Sequence, residues 1–248
     1  MSAQGEQSRP ASVAVIFAGG VGSRMGKAAV PKQFLEIHGK PIIVHTLEHF
    51  QDHPEIDAIA IAILPEMRDQ LERLVRWYDL SKVRWVVDGG ATGQESRHNA
   101  LKAVSADFEG DTIVLLHDGV RPLIDAELIS ANIAAAREHG AATTCTKFNE
   151  TIASSPSEVI VDIIPRDTIY SAQAPQTFQL DEVLSAYDRA VSEGEHDSID
   201  SLSLMFRYGH EVHRVEGPRS NIKITTAEDF YICRTFFELI ENRQVTGL

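Results

Sequence analysis

Two cysteines in 248 residues rule out a disulfide framework, and neither Cys145 nor Cys233 has partners at metal-ligand spacing. Each is expected to be a small buried hydrophobe. Long apolar runs are missing as well. None approaches the roughly 18–20 residues that span a bilayer, and the polar stretch from Met1 to Pro10 lacks the apolar core of a secretory signal. The cytoplasm is therefore the expected location, with no membrane partner. Positive charge is scarce: 23 Lys and Arg stand against 36 Asp and Glu, for a net charge of −13. A nucleic-acid surface needs a basic stripe, so no nucleic-acid partner is expected. An acidic chain that binds anions must instead gather its few cations locally, because its overall field repels the ligand.

What the chain does have is an alternation of apolar strands and amphipathic helices from Val13 to about Cys145. Val13–Phe17 reads as a buried first strand, Pro41–Phe50 as a helix opened by proline, and Ile56–Leu64 as a strand covered on both faces. Pro65–Tyr78 repeats apolar residues at helical spacing. Val83–Val87 is a strand followed by a helix from about Gln94 to Val104. Thr112–Leu116 is another strand, and Asp125 caps a helix to about His139. Such alternation predicts βαβ units, hence an α/β fold with a mostly parallel sheet flanked by helices. From about Thr144 to Phe178 the rhythm breaks into a hairpin-like arm, at about 146–172, that cannot bury both of its faces alone. Helices at Leu180–Ser192 and Ser198–Tyr208, a strand at Val212–Val215 and a helix from Ala227 to about Asn242 close the chain. One domain over residues 1–248 is expected, with 1–11 disordered.

Ligands of parallel sheets sit at the carboxyl ends of the strands, and four such ends carry unusual polar residues. The first is Ala18-Gly19-Gly20-Val21-Gly22-Ser23-Arg24-Met25-Gly26 with Pro31-Lys32-Gln33-Phe34-Leu35. Glycines there let backbone N–H groups approach an anion without Cβ obstruction, and Arg24 and Lys32 suit several phosphates. The others are Asp88–Ser96, His117-Asp118-Gly119-Val120-Arg121-Pro122 and Ser220-Asn221-Ile222-Lys223-Ile224-Thr225-Thr226. With Arg166 at the end of the arm, four or five cations and one aspartate would converge on one crevice. The glycines fit neither a dinucleotide fingerprint, since Met25 stands where a third glycine is needed, nor a P-loop. Taken singly, each position has a plain structural reading. His117 reads as a packed strand-end histidine rather than a base, and Lys223 reads equally as a surface lysine. Glu95, Arg97 and His98 read as a solvated helix face.

Taken together and in order, Ala18-Gly-Gly-x-Gly-x-Arg-Met, Pro31-Lys-Gln-Phe-Leu, Gly39-Lys-Pro-Ile-Ile, Gly89-Gly, His117-Asp-x-x-Arg-Pro, Ala174-Pro-Gln-Thr-Phe and Asn221-Ile-Lys-Ile-Thr resemble the cytidylyltransferases that act on sugar-alcohol phosphates. The resemblance runs from about Val13 to Leu239. It implies a Rossmann-like domain, a homodimer made through the arm, and Mg²⁺-dependent transfer of CMP from CTP to a polyol phosphate. By matching positions it implies that Ala18, Gly19, Gly20, Gly90 and Ser96 hold the cytidine. Gly22, Arg24 and Lys32 would hold the triphosphate, with Arg24, Lys32 and Lys223 as the catalytic cations. Asp118 and Arg121 would face the acceptor and the reacting phosphates, while Thr151 and Arg166 from the neighbouring subunit's arm would grip the acceptor. Mg²⁺ would be held mainly by CTP phosphates, with Asp118 as the candidate protein ligand.

Three positions depart from the family pattern: Gly93 stands where an arginine is usual, Ala174 where a threonine precedes Pro-Gln, and Ile199-Asp200 where Thr-Asp is usual. The Arg24–Lys32 loop, one residue longer than in methylerythritol-type enzymes, is similar to the ribitol type, as is Gly119-Val120-Arg121-Pro122. Ribitol 5-phosphate is therefore the expected acceptor, with 2-C-methyl-D-erythritol 4-phosphate as the alternative. A nicotinamide oxidoreductase would bind NAD and not CTP. A non-catalytic nucleotide sensor would bind CTP without releasing pyrophosphate.

Overall fold

A computed structural model describes residues 9–19 and 30–246, with side chains to residue 242. Strand β1 (Ser12–Phe17) is followed by a short hairpin, β2 (Glu36–Ile37) and β3 (Lys40–Pro41), and by helix α1 (Ile42–Gln51). Then come β4 (Ala58–Ile63), α2 (Arg68–Trp77), β5 (Val83–Asp88), α3 (Gly93–Ser105), β6 (Ile113–Asp118), α4 (Ala126–His139) and β7 (Ala141–Lys147). The chain continues through β8 (Ile152–Ser154), β9 (Asp162–Ile164), β10 (Tyr170–Gln179), α5 (Leu180–Ser192), α6 (Ser201–Arg207), β11 (His213–Glu216) and α7 (Ala227–Thr246).

The main sheet has seven strands in the order β11-β7-β10-β6-β1-β4-β5. β1 pairs in parallel with both β4 and β6, β4 with β5, and β7 with β11, whereas β10 runs antiparallel between β6 and β7. The chain leaves β1 toward β4 and β5, then returns to its other side as β6. The strand order thus reverses at β1, which is where open α/β sheets place their ligands.

Alternation along the strands divides the core between the two faces of the sheet. In β1 and β4, Ala14, Ile16, Ile59, Ile61 and Ile63 face α1 and α4 with Leu47, Phe50, Ile129 and Ile133. Val13, Val15, Ala58, Ala60 and Ala62 face the other way, onto Ala100, Leu101 and Val104 of α3 and onto Val183, Ala186 and Tyr187 of α5. The alanine side of β4 lets α3 approach the sheet closely, whereas the isoleucine side fills the wider gap beneath α1. The C-terminal helix α7 covers a third cluster, where Cys233 packs with Ile37, Ile42, Val120 and Ile224. Both cysteines are buried, as expected, and burial pushes the Cys233 thiol up to about 12.

The structure departs from the sequence-based expectation in two stretches. The arm is shorter than 146–172. β7 and β10 belong to the main sheet, and only the segment between them, with the β8–β9 hairpin, stands away from it. Pro175 and the polar Gln173 and Gln176 make β10 look like coil, yet both glutamines are buried. The register of β10 on β7 slips between Ala172 and Gln176, a bulge that takes Gln173 out of the ladder and lets it resume at Gln176. At the N-terminus, residues 1–8 of the expected disordered segment lie outside the described residues. Residues 9–11 are held: Arg9 pairs with Asp57 at 3.0 Å, and the Ala11 carbonyl accepts from Ile113 N at 2.8 Å.

Candidate active site

Around the switch point, the strand ends deliver polar groups to two adjoining cavities. One, of about 330 Å³, is lined by Ala18, Gly19, Lys32, Gly90, Gly93 and Ser96 among others. The second, of about 180 Å³, is lined by His117, Arg121, Ala174, Gln176, Ile199 and Asp200 among others. Phe17, Arg97, Asp118 and Lys223 line both and form the wall where they meet.

The floor of the larger cavity is backbone. Ala18 N donates to Ala62 O at 2.8 Å, continuing the ladder past β1, and the buried Gln33 amide donates to Ala18 O at 2.7 Å. That bond fixes the Lys32–Phe34 turn against the end of β1, so Lys32 lines the cavity from a braced position. Across it, Ser96 Oγ accepts from Gly90 N at 3.0 Å and donates to Thr92 O at 2.9 Å. Thr92 caps α3 by accepting from Glu95 N at 3.1 Å. Ser96 therefore folds the glycine turn onto the start of α3. Gly119, one residue past β6, donates to Phe17 O at 2.8 Å, and a Cβ there would sit 3.1 Å from the same carbonyl oxygen. The close approach of the β1 and β6 ends favours glycine there, since any side chain would push the Phe17 carbonyl back by a few tenths of an ångström.

At the junction, Asp118 holds two cations. Lys223 Nζ donates to its Oδ1 at 2.6 Å and Arg121 Nε to its Oδ2 at 2.9 Å. Burial alone would raise the Asp118 pKa, but the charges of Lys223 and Arg121 outweigh it and hold the carboxyl well below the usual range. Asp118 stays ionised and unfit to take up a proton near neutral pH. Arg121 also donates to Asn221 O at 2.8 Å, and the buried Asn221 amide donates to Ala174 O at 2.7 Å. The loop carrying Lys223 is thereby tied to the β10 bulge. It is not a strand, and Lys223 owes its direction to these bonds rather than to alternation.

His117 is fully buried, with its edge against the Phe50 ring. Its Nε2 lies 3.1 Å from the Arg121 carbonyl and must carry the proton, while Nδ1 has no partner among the described residues. Burial pushes its pKa down to about 3, only partly offset by the Arg121 carbonyl. It packs, as expected, and is no base. Unfolded chains take up a proton here below about pH 6.5 that the native protein refuses, so stability falls with acid. Between pH 6.5 and 5 the loss from this one group is expected to be roughly 1.5–2 kcal/mol. Denaturation of the wild type and His117→Gln at both pH values checks it. An equal loss in the variant would place the acid sensitivity elsewhere.

The expected site residues fall into three groups. Ala18, Gly19, Lys32, Gly90, Ser96, Asp118, Arg121 and Lys223 line one or both cavities. Gly20, Gly22 and Arg24 lie outside the described residues. Thr151 and Arg166 lie on the arm and line neither cavity; Arg166 donates to Asn149 O at 2.6 Å. The solvated face expected for Glu95, Arg97 and His98 holds only for Glu95. His98 is buried against Asp188 at 2.7 Å, and Arg97 forms part of the shared wall. Arg97 stands three and four residues before Ala100 and Leu101, the core stripe of α3, and that spacing signalled an inward direction. Among the described residues no group of three His, Cys, Asp or Glu is placed to hold a metal, and no helix is long and apolar enough to cross a membrane.

Residues 12–238 match the family described as IspD, 2-C-methyl-D-erythritol 4-phosphate cytidylyltransferase. The chain belongs to this family. A relative from Streptococcus agalactiae serotype III (strain NEM316), named ribitol-5-phosphate cytidylyltransferase, is 45% identical over 96% of this chain and 100% of its own. A relative from Geotalea uraniireducens (strain Rf4), named 2-C-methyl-D-erythritol 4-phosphate cytidylyltransferase, is 37% identical over 93% and 98%. The solved 4-diphosphocytidyl-2C-methyl-D-erythritol synthase of Anaerococcus prevotii DSM 20548 superposes with a TM-score of 0.80 at 30% identity, over 92% of this chain and 96% of that one. As a member of the IspD family, the chain is a CTP-dependent cytidylyltransferase. Its two cavities accord with two substrates that must meet.

Proposed function

We propose that the protein transfers CMP from CTP to D-ribitol 5-phosphate, giving CDP-ribitol and pyrophosphate. The observation that carries this reading is the shared wall: a nucleotide cavity and a smaller acceptor cavity meet at Asp118, Lys223 and Arg97. The ribitol acceptor is supported by the higher identity to the ribitol-named relative, by the longer Arg24–Lys32 loop, and by Gly119-Val120 before Arg121.

A phosphate oxygen of the acceptor attacks the α-phosphorus, the bond to the bridging oxygen of the β-phosphate breaks, and pyrophosphate leaves with that electron pair. The nucleophile is already an anion, so no general base is needed, in keeping with a neutral buried His117 and a salt-bridged Asp118. The work is alignment and neutralisation of growing negative charge. In this reading Ala18, Gly19, Gly20, Gly90 and Ser96 hold the cytidine, while Gly22, Arg24 and Lys32 hold the triphosphate. Lys223 and Arg121, fixed by Asp118, face the reacting phosphates. A divalent cation would be held mainly by the CTP phosphates, with Asp118 at the junction of the cavities as its candidate protein ligand, and it would neutralise phosphate charge. The arm exposes Val159, Ile160, Val161 and Ile163. Burial of this apolar strip against a second copy would bring Thr151 and Arg166 to the neighbouring acceptor cavity. With CTP as donor, the reaction would run in the cytoplasm.

The purified protein with CTP and Mg²⁺ is expected to release pyrophosphate when given ribitol 5-phosphate, and far more slowly with 2-C-methyl-D-erythritol 4-phosphate. Release with the second alone would transfer the assignment to that acceptor. CTP binding with no release from either would point to a nucleotide sensor.

A further inference from the structure

Arg97 is held in an unusual way for a surface-helix arginine. Its Nε donates to Tyr187 Oη at 2.8 Å and its Nη2 to Ser198 O at 2.9 Å. Tyr187 is fully buried, and its hydroxyl, which accepts from Arg97, also shares a hydrogen bond with Ser201 Oγ at 2.8 Å, in which either oxygen can donate. The guanidinium lies over the Phe17 ring, 5.9 Å from its centroid. All these partners are neutral. Among the described residues no carboxylate pairs with Arg97, although Asp118 and Asp200 line the same cavity. Asp118 is taken by Lys223 and Arg121, and Asp200 by Ser203 N and Gln176.

Two of the three guanidinium nitrogens are thus anchored from behind, and the third, Nη1, makes no hydrogen bond among the described residues. It points toward Gly93: a Cβ on that residue would lie 3.5 Å from Nη1. Gly93 lines the nucleotide cavity and not the acceptor cavity. The missing side chain therefore leaves room for a fixed, uncompensated positive charge to face the nucleotide, at the wall where the cavities meet. A half-buried guanidinium without a carboxylate is stabilised by an anionic ligand, and its planar fork suits phosphate oxygens.

We infer that Arg97 is a substrate-contacting residue whose Nη1 binds the phosphate of the nucleotide nearest the junction, the α-phosphate. The inference rests on the nucleotide reading of the larger cavity. It is tested without an acceptor and without turnover by titrating the protein with CMP, which carries that phosphate, and with cytidine, which lacks it. Arg97→Met is expected to weaken CMP binding tenfold or more while changing cytidine binding less than twofold. Arg97→Lys, which keeps the charge but not the fork, should fall between.

Equal losses for CMP and cytidine would show a merely structural arginine, and an unchanged CMP affinity in Arg97→Met would remove the contact outright. Either result overturns the inference, as does a wild type that binds no CMP. A wild type that binds CMP and CTP but releases no pyrophosphate would refute the proposed transfer and still leave the Arg97 comparison decisive.

Discussion

Lys223→Ala is expected to lower kcat by about 10²–10³ with little change in thermal stability, because a preorganised cation aimed at developing phosphate charge is worth that much. The lysine is two-fifths exposed, so its removal leaves no void in the core. Asp118 keeps its second partner, Arg121 at 2.9 Å, so no buried carboxylate is abandoned. The loss should appear in single-turnover rates as strongly as in steady state, and CTP binding should fall much less than the rate. Loss confined to the CTP affinity would make Lys223 a nucleotide clamp and not a group that acts on the transition state.

Asn221→Ala should fail differently, losing stability and rate together. The Asn221 side chain is buried; its amide donates to Ala174 O at 2.7 Å and to Gln173 Oε1 at 3.3 Å. Truncation strands a buried carbonyl and opens a small void, together costing roughly 2–4 kcal/mol. The same bond ties the Lys223 loop to the β10 bulge, so kcat is expected to drop at least tenfold even at temperatures where the variant is folded. Chemical denaturation and kcat, measured on one preparation, give both numbers. A variant that is destabilised yet fully active would mean that Lys223 is placed by Asp118 and Arg121 alone.

The sheet was legible because its strands announce themselves. Val13–Phe17 and Ala58–Ile63 are uninterrupted apolar runs, and only a strand buried on both faces needs that. Asp118, Arg121 and Lys223 were legible as a set, and the structure places their charged atoms within hydrogen-bond reach. β10 was not, because Tyr170–Gln179 spends its polar residues on a cavity wall while holding the ladder, and local polarity hides a strand whose partners are distant. Arg97 was hidden for the opposite reason. A charged residue on a helix reads as solvated; its spacing to Ala100 and Leu101 was the one local cue, and its partners, Tyr187 and the Ser198 carbonyl, lie about ninety to a hundred positions away in the chain. Helix boundaries also drifted by a few residues, as at α6, where the Asp200 side chain sets the start at Ser201.

The arm leaves the sheet through β7 and returns through β10, and those two strands are bonded to each other at its base, Lys147 opposite Tyr170. Both ends are consequently welded to the frame before the excursion begins. Changes of length between residues 148 and 169 are absorbed beyond that weld and do not propagate to Gln173 or Gln176. The exposed surface of the arm can thus be remodelled by insertion or deletion while the chamber of the same chain stays as it is. The bulge from Ala172 to Gln176 enjoys no such latitude: one residue more or less there shifts the wall itself.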